Sequence, residues 1–441
     1  MGAIPQNLAP DAGPPMWIPL RHLLIGLGFL VIAVVVALAT ELRVLADPGS
    51  IVFVHTYLVG WICMTIMGAL TQFVPVWSGR SLHSNRLAEW QLWFVVGGLL
   101  LYGIAWIVTN WWLLVIAGCS ILLGLWILVY NIGRSLLSAR PWDVTERHFA
   151  IAVSYFFVLS LLGIILAASL AEPAVLDVLP IAYASVRSAH VTIAVFGAVL
   201  ITIYGAIYQL APMFTQAKPA RLDNWLRVTE EGSVPIGVAL LGAGRLFTAE
   251  SLALVGGGLV IIGTGAVGLF VARQLIHARV AWTPMLYRYA FVVVWIAIWV
   301  IGTLPGWLTQ PLGFDVRFGV PGSFTVIAIG VIGFVAFGTL YHVIPFIVWI
   351  HRYSDDLGLR EVPMIDDLYD GRIARIDGVC LGIGTIGLVF SDIWLIWDVL
   401  RVVSISFLAG GVGLFVLNMT LVVHRHSPHS FGQLLFHRRH V

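Results

Sequence analysis

Long apolar runs, each about twenty residues or more and separated by short polar stretches, recur along the chain from residue 22 to residue 423. A helix needs about 20 mainly apolar residues to cross a bilayer, and in lipid it satisfies its own backbone hydrogen bonds. Runs near 22–42, 51–75, 88–108, 111–130, 148–170, 185–212, 232–248, 252–274, 287–307, 320–349, 377–395 and 398–423 each predict one spanning helix. The run at 232–248 is the least regular, because Arg245 and glycines interrupt it. Twelve spans are expected, or eleven without that run. The predicted fold is an all-α polytopic membrane protein.

Composition strengthens that picture. Apolar residues make up 60% of the 441 positions and charged residues only 10%. Soluble domains carry roughly 25% charge, so the polar shell that would cover such a core in water is missing and lipid must solvate the outside. Residues 1–15 are polar and proline-rich, and the first apolar run is too long for a signal-peptide core, so no cleavable leader is expected. Cys63, Cys119 and Cys380 fall inside apolar runs without metal-ligand spacing. A net charge of +2 gives no nucleic-acid footprint, and no nucleotide or flavin motif is present.

Charge also sets an orientation. With a cytoplasmic N-terminus and an even helix number, nineteen of the 24 basic residues fall on the cytoplasmic side and five (Arg43, Arg187, Arg245, Arg317 and Arg401) outside. That asymmetry follows the positive-inside rule. It predicts a multi-pass protein of the plasma membrane with both termini cytoplasmic and the lipid bilayer as its first partner. The longest polar stretch, within 351–376, reads as a solvated cytoplasmic loop, and 424–441 as a His- and Arg-rich cytoplasmic tail suited to an anionic membrane face. Glu41, Glu89, Glu146, Glu172, Asp177, Asp392 and Asp398 sit at span ends or in loops, leaving no mid-membrane acid to drive a proton-coupled transporter.

Three of the runs share one pattern. Gly60, Gly68 and Pro75, then Gly197, Gly205 and Pro212, then Gly330, Gly338 and Pro345 follow G-x7-G-x6-P, with the prolines 137 and 133 residues apart. Glycine lets a helix backbone approach a neighbour closely. Proline near a helix end removes one backbone bond where other groups can replace it. The period implies three four-helix units, roughly 22–130, 148–274 and 287–423, around a pseudo-threefold axis, with helices two, six and ten inside.

Twelve helices, three arcs and an inner helix ending Gly-x-x-Tyr-x-x-x-Pro (Gly205 to Pro212 and Gly338 to Pro345) resemble subunit I of the haem-copper oxidase superfamily, especially its cbb3-type and nitric-oxide-reductase-like branches. The resemblance implies a haem protein of electron transport, but the chain departs from the family at its reductase site. Where the family has His-x-His on helix ten, this chain has Ser323 and Thr325; Thr192 replaces the copper-binding histidine of helix six, and the His-x3-Tyr pair of many members is missing because position 194 is Ala194. The segment 233–247 lacks the expected His-His pair. No copper is expected, because such a site needs several imidazoles. A competent oxygen or nitric oxide reductase is excluded.

His55, His190 and His342 are the histidines within spans and away from basic ends. His342 takes the slot held by Gln72 and Gln209, three residues before the proline, and reads first as a hydrogen-bonding position. His55 lies 20 residues before Pro75 and His190 22 before Pro212, which puts them within roughly 3 Å of one depth. Two residues of offset turn a helix by about 200°, so the positions occupy opposite flanks of an inner helix. Rotating the family's helix-two/helix-ten haem pairing by one third sets His55 opposite His190. The resemblance therefore implies a b-type haem ligated by both imidazoles, low-spin and suited to electron transfer, with Arg187 available to a propionate, in a subunit that passes electrons beside a partner subunit or senses a diatomic gas. The alternative is a cofactor-free scaffold, accessory or transport protein on the same fold, in which both histidines are ordinary polar residues of the bundle.

Overall fold

A computed structural model describes residues 13–45, 49–178, 181–320, 322–394 and 398–436. The described residues are almost entirely helical. Twelve long helices run α1 Trp17–Glu41, α2 Gly49–Ser78, α3 Asn85–Ile107, α4 Trp111–Ser138, α5 Val144–Ala171, α6 Tyr183–Thr215, α7 Arg221–Leu246, α8 Glu250–Ile276, α9 Pro284–Thr309, α10 Ser323–Arg352, α11 Gly371–Trp394 and α12 Asp398–His426. Eleven are long and apolar enough to cross a membrane; α7 is not. It begins eleven residues earlier than its apolar run, with the polar turns from Arg221 to Glu231. It nonetheless packs antiparallel on α8. A Cβ at Gly244 would meet the Ala253 backbone at 2.4 Å, one at Gly237 would meet Leu259 at 2.8 Å, and one at Gly263 would meet Ser233 and Val234.

The helices begin where local chemistry allows. Ser84, Asn110 and Thr283 cap α3, α4 and α9 by accepting backbone N–H bonds, and Asp143 with Glu146 forms a reciprocal capping box at α5. The lipid-like exterior is evident in exposed Ile, Leu, Val and Trp side chains along the outer helices. By contrast α6 and α10 are the most enclosed spans, 83% buried over their most apolar windows, and α2 and α8 follow at 61% each.

These three inner helices share a feature that hydropathy does not show. Each contains a π-helical stretch, Thr56–Cys63, Ile193–Val199 and Val326–Gly333, beginning 19 residues before Pro75, Pro212 and Pro345 respectively. Single π-turns cost hydrogen-bond geometry and concentrate near functional positions. Within each stretch lies the first repeat glycine, pressed by a ring from the preceding helix. A Cβ at Gly60 would meet Phe29 at 2.8 Å, one at Gly197 would meet Tyr155 at 2.8 Å, and one at Gly330 would meet Trp295 at 2.7 Å. The second glycines, Gly68, Gly205 and Gly338, lie against His22, His148 and Arg288, seven residues before those rings.

The bundle therefore has two distinguishable ends, one holding the three prolines and the other His55 and His190. At the proline end the stretch expected to be solvated is partly docked. Ile365 and Leu368 are buried, and Trp349 Nε1 donates to Pro363 O at 2.7 Å. The tail also folds back: a short helix, Phe431–Phe436, buries Leu434, whose carbonyl accepts Arg21 Nε at 2.8 Å. His424 stacks on Phe431 and His426 bonds the Tyr353 hydroxyl at 2.9 Å, whereas His437 and His440 lie outside the described residues.

Candidate functional site

A cavity of about 590 Å³ opens inside the end opposite the prolines, and His55, His190 and Arg187 all line it. Its walls are mainly apolar, from α2 to α6 on one side. A second arm reaches α1, α10, α11 and α12. The volume is typical of small-molecule and cofactor sites, roughly 300–1,000 Å³.

Both histidines occupy the last α-helical turns before the π-stretches. His55 directly precedes the one in α2, and His190 sits three residues before the one in α6. Each ring is held by a backbone carbonyl through Nδ1: His55 donates to Ile51 O at 2.9 Å, and His190 donates to Leu159 O on α5 at 3.0 Å. That contact assigns the Nδ1–H tautomer and leaves Nε2 with its lone pair. Among the described residues no hydrogen bond reaches either Nε2. The Tyr102 ring stacks on His55 with centroids 4.5 Å apart, its hydroxyl 3.1 Å from Nδ1, which fixes the imidazole plane. Beside His190 the wall is Gly163, where a Cβ would lie 3.2 Å from the ring.

Two cations stand at this cavity. Arg187, one turn before His190, places its guanidinium over the Phe314 ring at 4.8 Å, and Arg317 covers the other side of the same loop at 4.0 Å from that ring. Among the described residues neither forms an ion pair with a carboxylate. Burial and, after it, the neighbouring Arg187 charge pull the Arg317 guanidinium below the usual arginine value, against the opposing pull of the Asp315 carboxylate. Arg245, buried at the end of α7, secures this corner. Its Nη1 donates to Thr192 Oγ1 and to Arg317 O, both at 2.8 Å, and its Nε donates to Pro311 O at 3.1 Å. So Thr192 serves as an acceptor for a structural arginine.

The second arm is closed by its own polar chain. Thr325 Oγ1 donates to Asp392 Oδ2 at 2.6 Å, Arg401 pairs with Asp392, and Arg401 Nη2 donates to Glu41 Oε1 at 2.9 Å. His342 is elsewhere. It packs between Phe214 and Phe346 near the prolines, and does not line the cavity. Among the described residues no group of three or more His, Cys, Asp or Glu side chains is placed to hold a bare metal ion. A pair of imidazoles suffices for an iron whose other ligands come from a macrocycle.

Sequence reasoning missed several residues. Tyr102 and Gly163 look like any other apolar-run positions, and Arg317 looks like a loop charge. More consequential, two acids that the sequence reading left out lie inside helices and are fully buried: Glu230 in α7 and Asp377 in α11. Their helices start earlier than the apolar runs do, so the expectation of acids only at span ends and in loops is corrected. Two further histidines, His22 and His148, set aside for their neighbouring arginines, are 1% exposed. Glu230 bonds His148 at 2.8 Å, Asp377 pairs with Arg288 and accepts the Tyr341 hydroxyl, and His22 contacts Gln91 at 3.3 Å. No protein family matches the chain, and no curated protein matches it.

Proposed function

We propose that this chain holds one b-type haem between His55 and His190 and serves as a single-electron carrier in a multi-pass membrane protein of twelve helices. The observation that carries the reading is specific: two imidazoles on one cavity, each with Nδ1 committed to a backbone carbonyl and Nε2 free. When bound, the group would supply a one-electron redox couple, and His55 and His190 are the residues that would hold it. The protein's part follows from its own side chains. Ile51 O and Leu159 O, as acceptors, raise the basicity of the opposite nitrogens and fix both rings, as outer partners of metal-bound histidine do. Tyr102 holds the His55 plane. Arg187 and Arg317 offer charge-assisted bonds to carboxylates at the rim, and the apolar wall around Gly163 excludes water.

The same reading takes the fold as three four-helix units about a pseudo-threefold axis. Support comes from contacts that recur once per unit: the π-stretches at one offset from the prolines, the ring-on-glycine contacts, and the polar slot of His22, His148 and Arg288. Loop locks recur as well. Asn131 bonds the Ser84 backbone in both directions at 2.9 Å, and Asn418 does the same to Asp370 at 3.0 and 2.9 Å. The distribution of basic residues puts the prolines on the cytoplasmic side of the plasma membrane and the haem near the outer face, where an electron-transfer partner subunit would meet it.

A visible spectrum of the purified protein, oxidised and dithionite-reduced, tests this. The parent is expected to show a Soret band and sharp low-spin bands on reduction, with His55→Ala and His190→Ala losing them. A parent without a Soret band, expressed with adequate haem supply, overturns the reading and leaves a cofactor-free scaffold.

A further inference from the structure

The slot against the second repeat glycine is filled differently in the three units, and only one filling sets an imidazole directly against a carboxylate. In the first, His22 Nδ1 faces Ile18 O at 2.8 Å and its Nε2 lies 3.3 Å from the Gln91 amide nitrogen, a donor, so a neutral imidazole is satisfied. In the third, Arg288 pairs with Asp377, which also accepts the Tyr341 hydroxyl. A guanidinium does not deprotonate in proteins. The second is different. His148 Nδ1 donates to Val144 O at 2.7 Å, and Nε2 lies 2.8 Å from Glu230 Oε2. A nitrogen lone pair and a carboxylate oxygen cannot approach so closely without a proton between them, so the geometry shows the protonated pair. Loss of that proton leaves two acceptors face to face and one net negative charge in the interior.

The surroundings supply both a relay and an outlet. Glu230 Oε1, the Tyr208 hydroxyl and Ser233 Oγ are all buried without a hydrogen-bond partner. Ser233 is one turn from Glu230 on α7, and the Tyr208 ring lies 5.5 Å from that of His148. Buried polar atoms of this kind are ordinarily satisfied by internal water. A crevice of about 350 Å³ reaches His148 between α5 and α7, past Arg147, Glu231 and Gly232. The charged and titratable groups facing the pair are Glu231, itself bonded by Arg147 at 2.6 Å and near Arg227, together with Tyr204 and Tyr208 on α6.

We infer that His148 and Glu230 form a proton-exchange site at the proline end of the bundle, taking up and releasing one proton to the aqueous phase through the Arg147–Glu231 crevice. In uptake a hydronium ion in the crevice gives its proton to Nε2 and is left as water, and Nε2–H donates to Glu230; in release the same N–H bond breaks and a crevice water takes the proton as hydronium. Nothing oxidises or reduces. The site is independent of the haem reading and stands or falls separately.

Infrared difference spectra of the full chain in lipid nanodiscs, taken between pH 4 and pH 10, test it. The expected result is a pH-dependent carboxylate and imidazole signal that disappears in both Glu230→Gln and His148→Gln and persists in the neutral-slot variant Gln91→Leu. Superimposable spectra for parent and Glu230→Gln overturn the proposal. Should neither variant fold, ring-labelled histidine in the parent keeps it testable, because labelled imidazole bands that show no histidine coupled to a carboxylate across this range also overturn it. The outlet has its own test. Gly232→Cys, in a chain whose three native cysteines are replaced, is expected to react with a membrane-impermeant maleimide added from the proline side alone; protection from that side removes the crevice as the path.

Discussion

Gly163 on α5 faces the imidazole of His190 so closely that a Cβ there would lie 3.2 Å from Cε1 and 3.6 Å from Nδ1. Gly163 thus sets how near α5 can approach α6 while Leu159 O still accepts the His190 N–H. Alanine at 163 needs the ring to give by a few tenths of an ångström, whereas valine drives a methyl into it. Gly163→Val is expected to break the Leu159 contact and lower the haem-to-protein ratio several-fold, with Gly163→Ala close to the parent. The haem content of purified protein, by pyridine haemochrome, checks this; unchanged content in Gly163→Val denies that the ring orientation matters.

Arg187 and Arg317 share the Phe314 ring, yet they differ in exposure: Arg187 is exposed and Arg317 half-buried. A cation near a redox centre favours the reduced form. Removing one at roughly 10 Å in a partly screened site changes the energy by about 1–2 kcal/mol, or on the order of 50 mV for one electron. Both Arg187→Gln and Arg317→Gln are expected to lower the midpoint potential, Arg317→Gln more, because water and salt screen the exposed charge. Redox titrations at low and high salt provide the comparison, and a rise in potential for either variant contradicts the assignment.

Much of the scaffold was legible because lipid makes the signal coarse. Eleven spans follow from apolar length alone, and the glycine and proline repeat falls on α6 and α10, the two most enclosed spans, and on α2. His55 and His190, counted back from Pro75 and Pro212, both line the cavity at the end opposite the prolines. What hydropathy lost are features it averages over. Glu230 lies in the polar early turns of α7 that a window of apolar residues trims away, and Asp377 stands at the edge of its apolar run although α11 starts six residues earlier. The π-stretch after His55 sits in a run apolar on all sides, where a change of helical period leaves no trace in the pattern. Arg317 owes its place at the cavity to Arg245, which lies 72 positions earlier and donates to its carbonyl. That contact exists only once the chain has folded.

Arg288 and Asp377 are 3% and 0% exposed, an ion pair inside the protein whose carboxylate also accepts the Tyr341 hydroxyl, itself bonded by Asn418. Removing one member of such a pair strands the other charge, at about 3–5 kcal/mol. Asp377→Leu is expected to unfold at markedly lower temperature than the parent in detergent, whereas Arg288→Met combined with Asp377→Leu recovers most of the loss. Spectra at the haem should stay as in the parent for both, since the pair belongs to the opposite end. A double variant no more stable than Asp377→Leu alone denies that the stranded charge is the cause.

Asp370 starts α11 by accepting the backbone N–H groups of Arg372 at 2.7 Å and Ile373 at 3.2 Å, and those two donors hold its carboxyl below the usual aspartate value. A depressed acid contributes stability that is present above its unfolded value, near 4, and is lost as pH falls through the lower folded one. Amide exchange across the first turns of α11, corrected for intrinsic rates, is therefore expected to stay slow from neutral pH to about 4 and to quicken below it. In Asp370→Asn the cap persists without a titrating group, so the acid-induced step should vanish. In Asp370→Ala exchange should be fast at every pH, because no acceptor remains for the two N–H groups. An acid step that survives in Asp370→Asn assigns the fraying to another carboxylate of the loop, with Asp366 and Asp367 the nearest in sequence.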